Sequence, residues 1–514
     1  MADDRVVVIG AGIGGLVAAV LLAARGLRVT VVEKEPASGG KVRQVPVGQV
    51  AVDGGPTVFT CKDVFDSVFA DAGANLDERL SVRRADIIAR HAWSESERLD
   101  LHADLEASVD AIGALAGADA ARGYRGFAGE AKRIHHILDK PFLRNSRVYP
   151  PGLMWRIGLH RLGALLAIRP YESLWKVLGE HFRDPRLRQL FGRYTTYCGS
   201  SPFKAPATLM LIAHVEAMGV WLIEGGMSAL AAALETLARE QGAVFRHGEK
   251  VEEVLVEHGR AAGVRLASGE QIAAGAVIAN ADPAALASGL FGLRAQRAVR
   301  AVPARHRSLS AFTWMMQART NGFPLDRHNV FFSPDYPAEF DALHDGRLAE
   351  APTAYVCALD RPGDPATDRL QIIVNAPANG DTHAYTPQEI ERCSRRMQER
   401  LAACGLHMEP LSEPVVATPT DFEAMFPATG GALYGRASHG WAASFLRQSA
   451  RTRIPGLYCA GGSTHPGAGV PMAALSGRLA VDTLLKDRPS TARSRPAAMP
   501  GGMSTRSRPT ASSV

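Results

Sequence analysis

Residues 5–33 read RVVVIGAGIGGLVAAVLLAARGLRVTVVE, and the order of their parts decides the fold. RVVVIG, with no polar alternation, is a short strand buried on both faces. Gly10, Gly12 and Gly15 follow in GxGxxG spacing, then a helix-forming run from Leu16 to Arg25. Gly26 ends the helix, and LRVTVVE forms a second strand closing on Glu33. Strand, glycine turn, helix, strand and acid within about 30 residues is the dinucleotide-binding unit. Gly10 permits the tight turn, Gly12 admits a pyrophosphate to the backbone, and Gly15 lets helix and strand pack closely. The helix N-terminus presents free N–H groups and a partial positive charge to the phosphates. Glu33, 18 residues beyond Gly15, is placed to accept hydrogen bonds from an adenosine ribose.

The whole chain agrees with a globular protein built around such a unit. It has 514 residues, 46% hydrophobic and 21% charged, enough for several domains and unlike disordered, collagenous or coiled-coil proteins. No uncharged apolar run approaches the ~18 residues of a membrane span. The strand pattern begins at Arg5, so no signal peptide is expected. Six cysteines without CxxC or zinc spacing read as small buried hydrophobes in a reducing compartment, and no metal is expected. The net charge of +6 is partly the work of residues 489–514, which carry four arginines and no acid. That Ser-, Pro- and Arg-rich tail reads as disordered. Without it 54 basic residues face 52 acidic ones, so nucleic-acid binding is not expected. Residues 132–193, by contrast, hold 13 Lys or Arg and four acids. Leu153, Met154, Trp155, Ile157, Leu159, Leu162, Leu165, Leu166 and Ile168 are interleaved among them. A solvated basic helix face gives this pattern, and so does a docking surface for anionic lipid.

Beyond the first unit the chain resembles the flavoprotein superfamily of amine oxidases and carotenoid desaturases. The resemblance rests on a Gly39-Gly40-Lys41 turn after Glu33-Lys34, on Asp53-Gly54-Gly55-Pro56-Thr57, on Glu224-Gly225-Gly226 opening a helix, on Lys250-Val251, and on the 277–283 stretch VIANADP. It culminates in residues 455–477, PGLYCAGGSTHPGAGVPMAALSG. It implies FAD as cofactor, with Gly10, Gly12, Gly15, Glu33, Lys34, Gly40, Lys41, Pro56, Thr57, Val251, Gly461, Gly462 and Met472 around it. The THPGAG sequence (464–469) is similar to that of bacterial phytoene-desaturase-type carotenoid desaturases; amine oxidases usually carry an acid near Ser463-Thr464. FGRYTTYCGSSPFKAPATLMLIAHVE (191–216) with GVWLIEGGM resembles the branch acting on hydroxylated or methoxylated acyclic carotenoids. Met472, where many relatives have glycine, departs from the pattern beside the flavin ring.

The expected fold is α/β. A discontinuous Rossmann-like FAD domain of the glutathione-reductase/amine-oxidase type takes 1–80, 222–290 and 445–488. A substrate-domain sheet region takes 291–444, and a mainly helical, membrane-facing cap takes 81–221. The resemblance implies introduction of a C-3,4 double bond into 1-hydroxy or 1-methoxy carotenoids, with hydride passing to the flavin and a proton lost. The cation formed beside a polyene is delocalised, so no strong base is needed, and positioning and water exclusion are the protein's main tasks. His465 is the candidate catalytic side chain, able to polarise the flavin, place a hydroxyl or pass a proton; backbone capping is the alternative. Asp53 reads as holding the loop before Pro56. Tyr194, Tyr197 and Trp221 read as tunnel wall or plain core. A quinone or oxygen would reoxidise the flavin, and the protein would be cytoplasmic, peripherally attached to the cytoplasmic membrane. Alternatives are a phytoene- or neurosporene-type hydrocarbon desaturase, a retinol-saturase-like enzyme, an amine oxidase, and a flavin-free lipid-binding protein akin to Rab GDP-dissociation inhibitors.

Overall fold

The computed structural model describes residues 4–146, 149–157, 167–363 and 365–488. Five parallel strands form one sheet in the order Leu457–Cys459, Ala276–Ala279, Arg5–Ile9, Arg28–Val32, Val244–Arg246. Three stretches far apart in sequence thus close one layer, as a nearly uniform apolar strand composition requires when both faces are covered. The helix Ile13–Ala23 is buried along all its 11 residues, because the helices Met227–Glu240 and Val470–Asp487 pack against it. The crossing of the first and last of these is tight: a Cβ on Gly477 would lie 2.3 Å from the Gly14 carbonyl oxygen.

A second, eight-stranded sheet runs His407–Pro410, Ser310–Asn321, Asp368–Ala376, Ala354–Ala358, His328–Phe331, Ile87–Ala92, Arg98–His102, with Val415–Ala417 on the flank of Ser310–Asn321. One face is apolar: Phe312, Trp314, Phe331, Val356, Ile372 and Val374 pack with Cys393, Met397 and Leu401 of the helix Pro387–Ala402. The register puts His91, His328, Tyr355, Cys357, Gln371, Thr313 and Met315 on the other face. The sequence reading confined this sheet to 291–444 and made 81–221 mainly helical; the structure draws two strands from 87–102 and pairs Val82–Arg84 with Trp221–Ile223. Ile87–Ala92 pairs with Arg98–His102 as a local antiparallel hairpin and with His328–Phe331 as a parallel strand, and the second pairing, which carries the hairpin into the sheet, is invisible in its short, His- and Arg-interrupted pattern.

The described residues of 105–218 then do form a helical layer with its own core around Phe127, Phe182, Phe191, Leu174 and Leu187. Asp104, Ser173 and Asp184 cap its helices through side-chain oxygens, each replacing one missing intrahelical bond. Of the basic amphipathic stretch, Leu153 and Ile168 point into this core and Trp155 is 75% exposed. Part of the basic excess is neutralised from outside the window, Arg144 by Asp63, Arg169 by Glu130 and Arg186 by Glu97. Leu159, Leu162, Leu165, Leu166 and the 489–514 tail lie outside the described residues. All six cysteines are free, and five are buried.

Candidate functional site

The first strand ends at Gly10, whose φ of +90° turns the chain under the helix. A Cβ on Gly15 would stand 2.2 Å from the Gly10 carbonyl oxygen, and one on Gly14 2.9 Å from the Gly461 nitrogen. Gly12 heads the helix with no side-chain cap, so the first-turn N–H groups face the loop mouth as an anion site. Glu33 is buried and accepts from the backbone N–H of Ala11 (2.7 Å) and Glu35 (2.9 Å), which ties the ribose-side acid to the glycine loop. The Gly39 N–H donates to the Ala11 carbonyl at 2.8 Å, and a Cβ on Gly40 would come within 3.1 Å of the Gly12 Cα. Gly10, Gly12, Gly15, Glu33, Gly40 and Gly461 are therefore brought together. Val251 is buried, two residues after Glu249, whose N–H donates to the Glu33 carbonyl at 2.9 Å. Gly462 is not sterically required by the protein, for a Cβ there meets nothing within 4 Å. Met472 packs against both the nucleotide-fold core and the cap core, at their junction.

Asn280 completes this cradle, and sequence reading did not assign it to the site. Its Nδ2 donates to the Gly10 carbonyl at 3.3 Å and would lie 2.8 Å from a Cβ on Gly12. The signal was an amide at the end of the otherwise apolar strand 276–279. The uncapped helix N-terminus, backbone crowding at four glycines and a buried acid fit a dinucleotide diphosphate and its ribose.

The two lysines turn elsewhere. Lys34 Nζ donates to the Met425 carbonyl at 2.7 Å. Lys41 Nζ donates to the Leu433 carbonyl and lies 5.0 Å from the centre of the Phe426 ring. Burial lowers the Lys41 pKa, and Asp282 works against that. Both ammonium groups thus hold residues 425–433 against the nucleotide fold. Asp53 does the same for a helix: its Oδ2 accepts from the Met227 N–H at 2.6 Å at the start of Met227–Glu240. Burial raises its pKa, and that bond opposes the rise.

The Gly55 backbone crowds the Lys41 carbonyl, and Pro56 and Thr57 follow on the same loop. The Thr57 hydroxyl meets the Tyr355 hydroxyl at 2.6 Å, and His328 Nδ1 meets that same Tyr355 hydroxyl at 2.7 Å. This chain joins the nucleotide fold to the second sheet; its members are up to 298 residues apart, and no motif marks Tyr355 or His328. Tyr194 and Tyr197 both bond the buried Glu216 carboxylate through their hydroxyls, with the Arg193 guanidinium against both rings. Trp221 donates its backbone N–H to the Phe59 carbonyl at 2.9 Å.

His465 is 2% exposed, and its Nε2 lies 3.0 Å from the carbonyl oxygens of both Phe142 and Asn145. Burial pushes its pKa down to about 4, and the two carbonyl contacts oppose that shift. The ring is neutral near pH 7 with the proton on Nε2, and it ties the 461–469 loop to the cap. The unfolded state takes up this proton near pH 6.5 and the native state only near 4. Stability should fall by roughly 3 kcal/mol as pH drops across that window. Denaturant midpoints at pH 7 and 4.5 should differ less in His465→Gln than in the parent chain. Among the described residues one group could hold a metal ion, His135, His136 and His214, with ligand atoms within 4.8 Å of one another.

This dinucleotide cradle, set beside a second sheet, defines an FAD-dependent oxidoreductase when taken with the family to which the chain belongs. The model of the flavin containing amine oxidoreductase family matches residues 13–485, and the chain belongs to that family. Over 98% of its length it is 52% identical to the hydroxyneurosporene desaturase of Rubrivivax gelatinosus, covering 97% of that protein. It is 44% identical to the hydroxyneurosporene desaturase of Cereibacter sphaeroides over 95% of the chain and 99% of that protein. The zeta-carotene-forming phytoene desaturase of Myxococcus xanthus is 30% identical over 94% of each. Among solved structures, an oxidoreductase from Methanosarcina mazei superposes with a TM-score of 0.60 at 17% identity, covering 94% of this chain and all of that one. Putrescine oxidase with bound putrescine gives 0.57 at 14% over 94% of this chain and 98% of that one. These two show the fold.

Proposed function

We propose that the protein is a carotenoid desaturase that introduces the C-3,4 double bond into acyclic 1-hydroxy or 1-methoxy carotenoids. One observation carries the reading: full-length relatives at 52, 44 and 43% identity are hydroxyneurosporene desaturases, while a phytoene desaturase stands at 30%. Bound FAD supplies the acceptor for the hydride. Gly10, Gly12, Gly15, Glu33 and Asn280 hold its nucleotide end. The 461–469 loop, anchored to the cap by His465, and Met472 close the junction of the two cores and keep water from the reacting carbons. A polyene stabilises the positive charge left behind, so the proton leaves without a strongly basic side chain. The test is product analysis: anaerobic incubation with 1-hydroxyneurosporene should yield a carotenoid longer by one conjugated double bond. Neurosporene conversion in its place would reassign the protein to the hydrocarbon desaturases.

The substrate reaches the site from a membrane, on the same proposal, and a quinone or oxygen reoxidises the flavin. Trp155 is 75% exposed, Tyr171 74%, Tyr149 52% and Leu446 52%, and Tyr149 and Trp155 share one cavity wall. A cavity of about 600 Å³ is lined by Tyr149, Trp155, Arg156, Arg451 and Lys486 among others, which supports apolar insertion beside a basic rim. The attachment proposed is peripheral, at the cytoplasmic face; among the described residues no helix is long and apolar enough to cross a membrane. In flotation with anionic liposomes the parent chain should rise with the vesicles. Trp155→Ala/Tyr171→Ala should cut the bound fraction several-fold, and a parent chain that stays in the soluble fraction would remove this part of the proposal.

A further inference from the structure

A desaturase that distinguishes a hydroxylated end from a bare hydrocarbon needs a polar contact beside the reacting carbons, because the 1-hydroxyl is only a few bonds from C3. Apolar burial cannot make that distinction; a buried hydrogen-bonding group does. Resting on the function proposed above, we propose that the Thr57–Tyr355 hydroxyl pair, held by His328, receives the substrate's terminal hydroxyl.

Three observations lead there. First, position: a Cβ on Gly40 would nearly touch Gly12 at the helix N-terminus, and a Cβ on Gly55 would strike the Lys41 carbonyl oxygen at 1.7 Å. One run of crowded backbone thus leads from the nucleotide cradle to Thr57, and Tyr355 reaches it from the facing sheet. Second, surroundings: Tyr355 packs against the Met315 and Cys357 cluster on one side and the cap core on the other, so the hydroxyl pair stands where the polar inner face of the second sheet meets the apolar cap. Thr57 and Tyr355 are both partly exposed, while His328 behind them is buried. Third, hydrogen-bond capacity: His328 is neutral, burial holding its pKa down to about 3 with Arg327 and Arg193 adding to that. Its Nδ1 can accept from Tyr355 or donate to it, and the Tyr355–Thr57 bond runs in the matching direction. Either way the pair retains capacity for one more strong bond, since its remaining neighbour, the Cys357 thiol, is only a weak donor and acceptor. A ligand hydroxyl, donor and acceptor at once, satisfies both directions; a hydrocarbon end satisfies neither and leaves the pair only the weakly bonding Cys357 thiol beside it. His328 is a positioning residue, touching the phenol and not the substrate.

The experiment compares 1-hydroxyneurosporene with neurosporene in the FAD-loaded parent chain, Tyr355→Phe, Thr57→Val and His328→Leu, reading kcat/KM for each substrate and the flavin content. Tyr355→Phe keeps the ring and its packing, so its flavin content should match the parent. Its preference for the hydroxylated substrate should fall about tenfold or more, by loss on that substrate alone. Thr57→Val and His328→Leu should move the same ratio in the same direction, a change that general loosening would spread over both substrates. A parent chain that discriminates while Tyr355→Phe and Thr57→Val keep its full preference would overturn this assignment and leave the function standing. A parent chain that never prefers the hydroxylated carotenoid would overturn both.

Discussion

Gly15→Ala should lose the flavin. Its Cβ would be 2.2 Å from the Gly10 carbonyl oxygen and 3.0 Å from Asn280 Nδ2, and neither neighbour is free to retreat. Gly10 lies in the turn at φ +90°, with its N–H donated to the Val32 carbonyl at 2.8 Å. Asn280 is wedged between Gly12, Gly14 and Gly461. Relief requires the helix to lift off the strand, which displaces the first-turn N–H groups from the phosphate position. Flavin affinity should weaken by at least about tenfold, equivalent to 1.4 kcal/mol, read as absorbance per protein after dialysis. Gly129→Ala is the control: a Cβ there meets nothing, the site is an exposed helical position, and about 1 kcal/mol of helix propensity is gained. Equal flavin retention in both variants would contradict the cradle described above.

Glu216→Leu should be the most destabilising single change in the cap. Glu216 is 2% exposed and Arg193 7%. Burial works against the Arg193 charge, but Tyr197, Glu216 and Tyr194 outweigh it and its pKa stands above the ordinary value. Removing the carboxylate strips two tyrosine hydroxyls of their acceptor and leaves a buried guanidinium uncompensated, a loss of about 3–5 kcal/mol. The double variant Arg193→Met/Glu216→Leu should recover much of that, since an apolar replacement of both partners is often neutral. Denaturant unfolding of the three chains checks it: additive single-variant losses would show that the two side chains do not act together.

The nucleotide-binding half was legible because its determinants are local. Strand, turn, helix and acid lie within residues 5–33, and glycine spacing reports backbone crowding directly. What escaped depends on contacts between distant residues. The strands at 87–102 form a local hairpin, but their place in the second sheet depends on a parallel partner some 240 residues on. Asn280 reads as a strand end until Gly10 and Gly461 close around it. Lys34 and Lys41 were read toward the cofactor because they follow the ribose acid, yet they find carbonyl partners 391 and 392 residues away. His465 was singled out for its place in the THPGAG loop, while the carbonyls it binds belong to a turn with no sequence signature. Thr57 was assigned to the cofactor, and its bond to Tyr355 could not be foreseen.

The central claim is that a hydroxylated acyclic carotenoid gives up its hydride to the flavin in this protein. The direct measurement is flavin absorbance under anaerobic conditions in the FAD-reconstituted chain, with 1-hydroxyneurosporene and neurosporene added in separate runs. Bleaching by the hydroxylated carotenoid, and little by neurosporene, is the expected result; a bound flavin that stays oxidised with 1-hydroxyneurosporene would contradict the account.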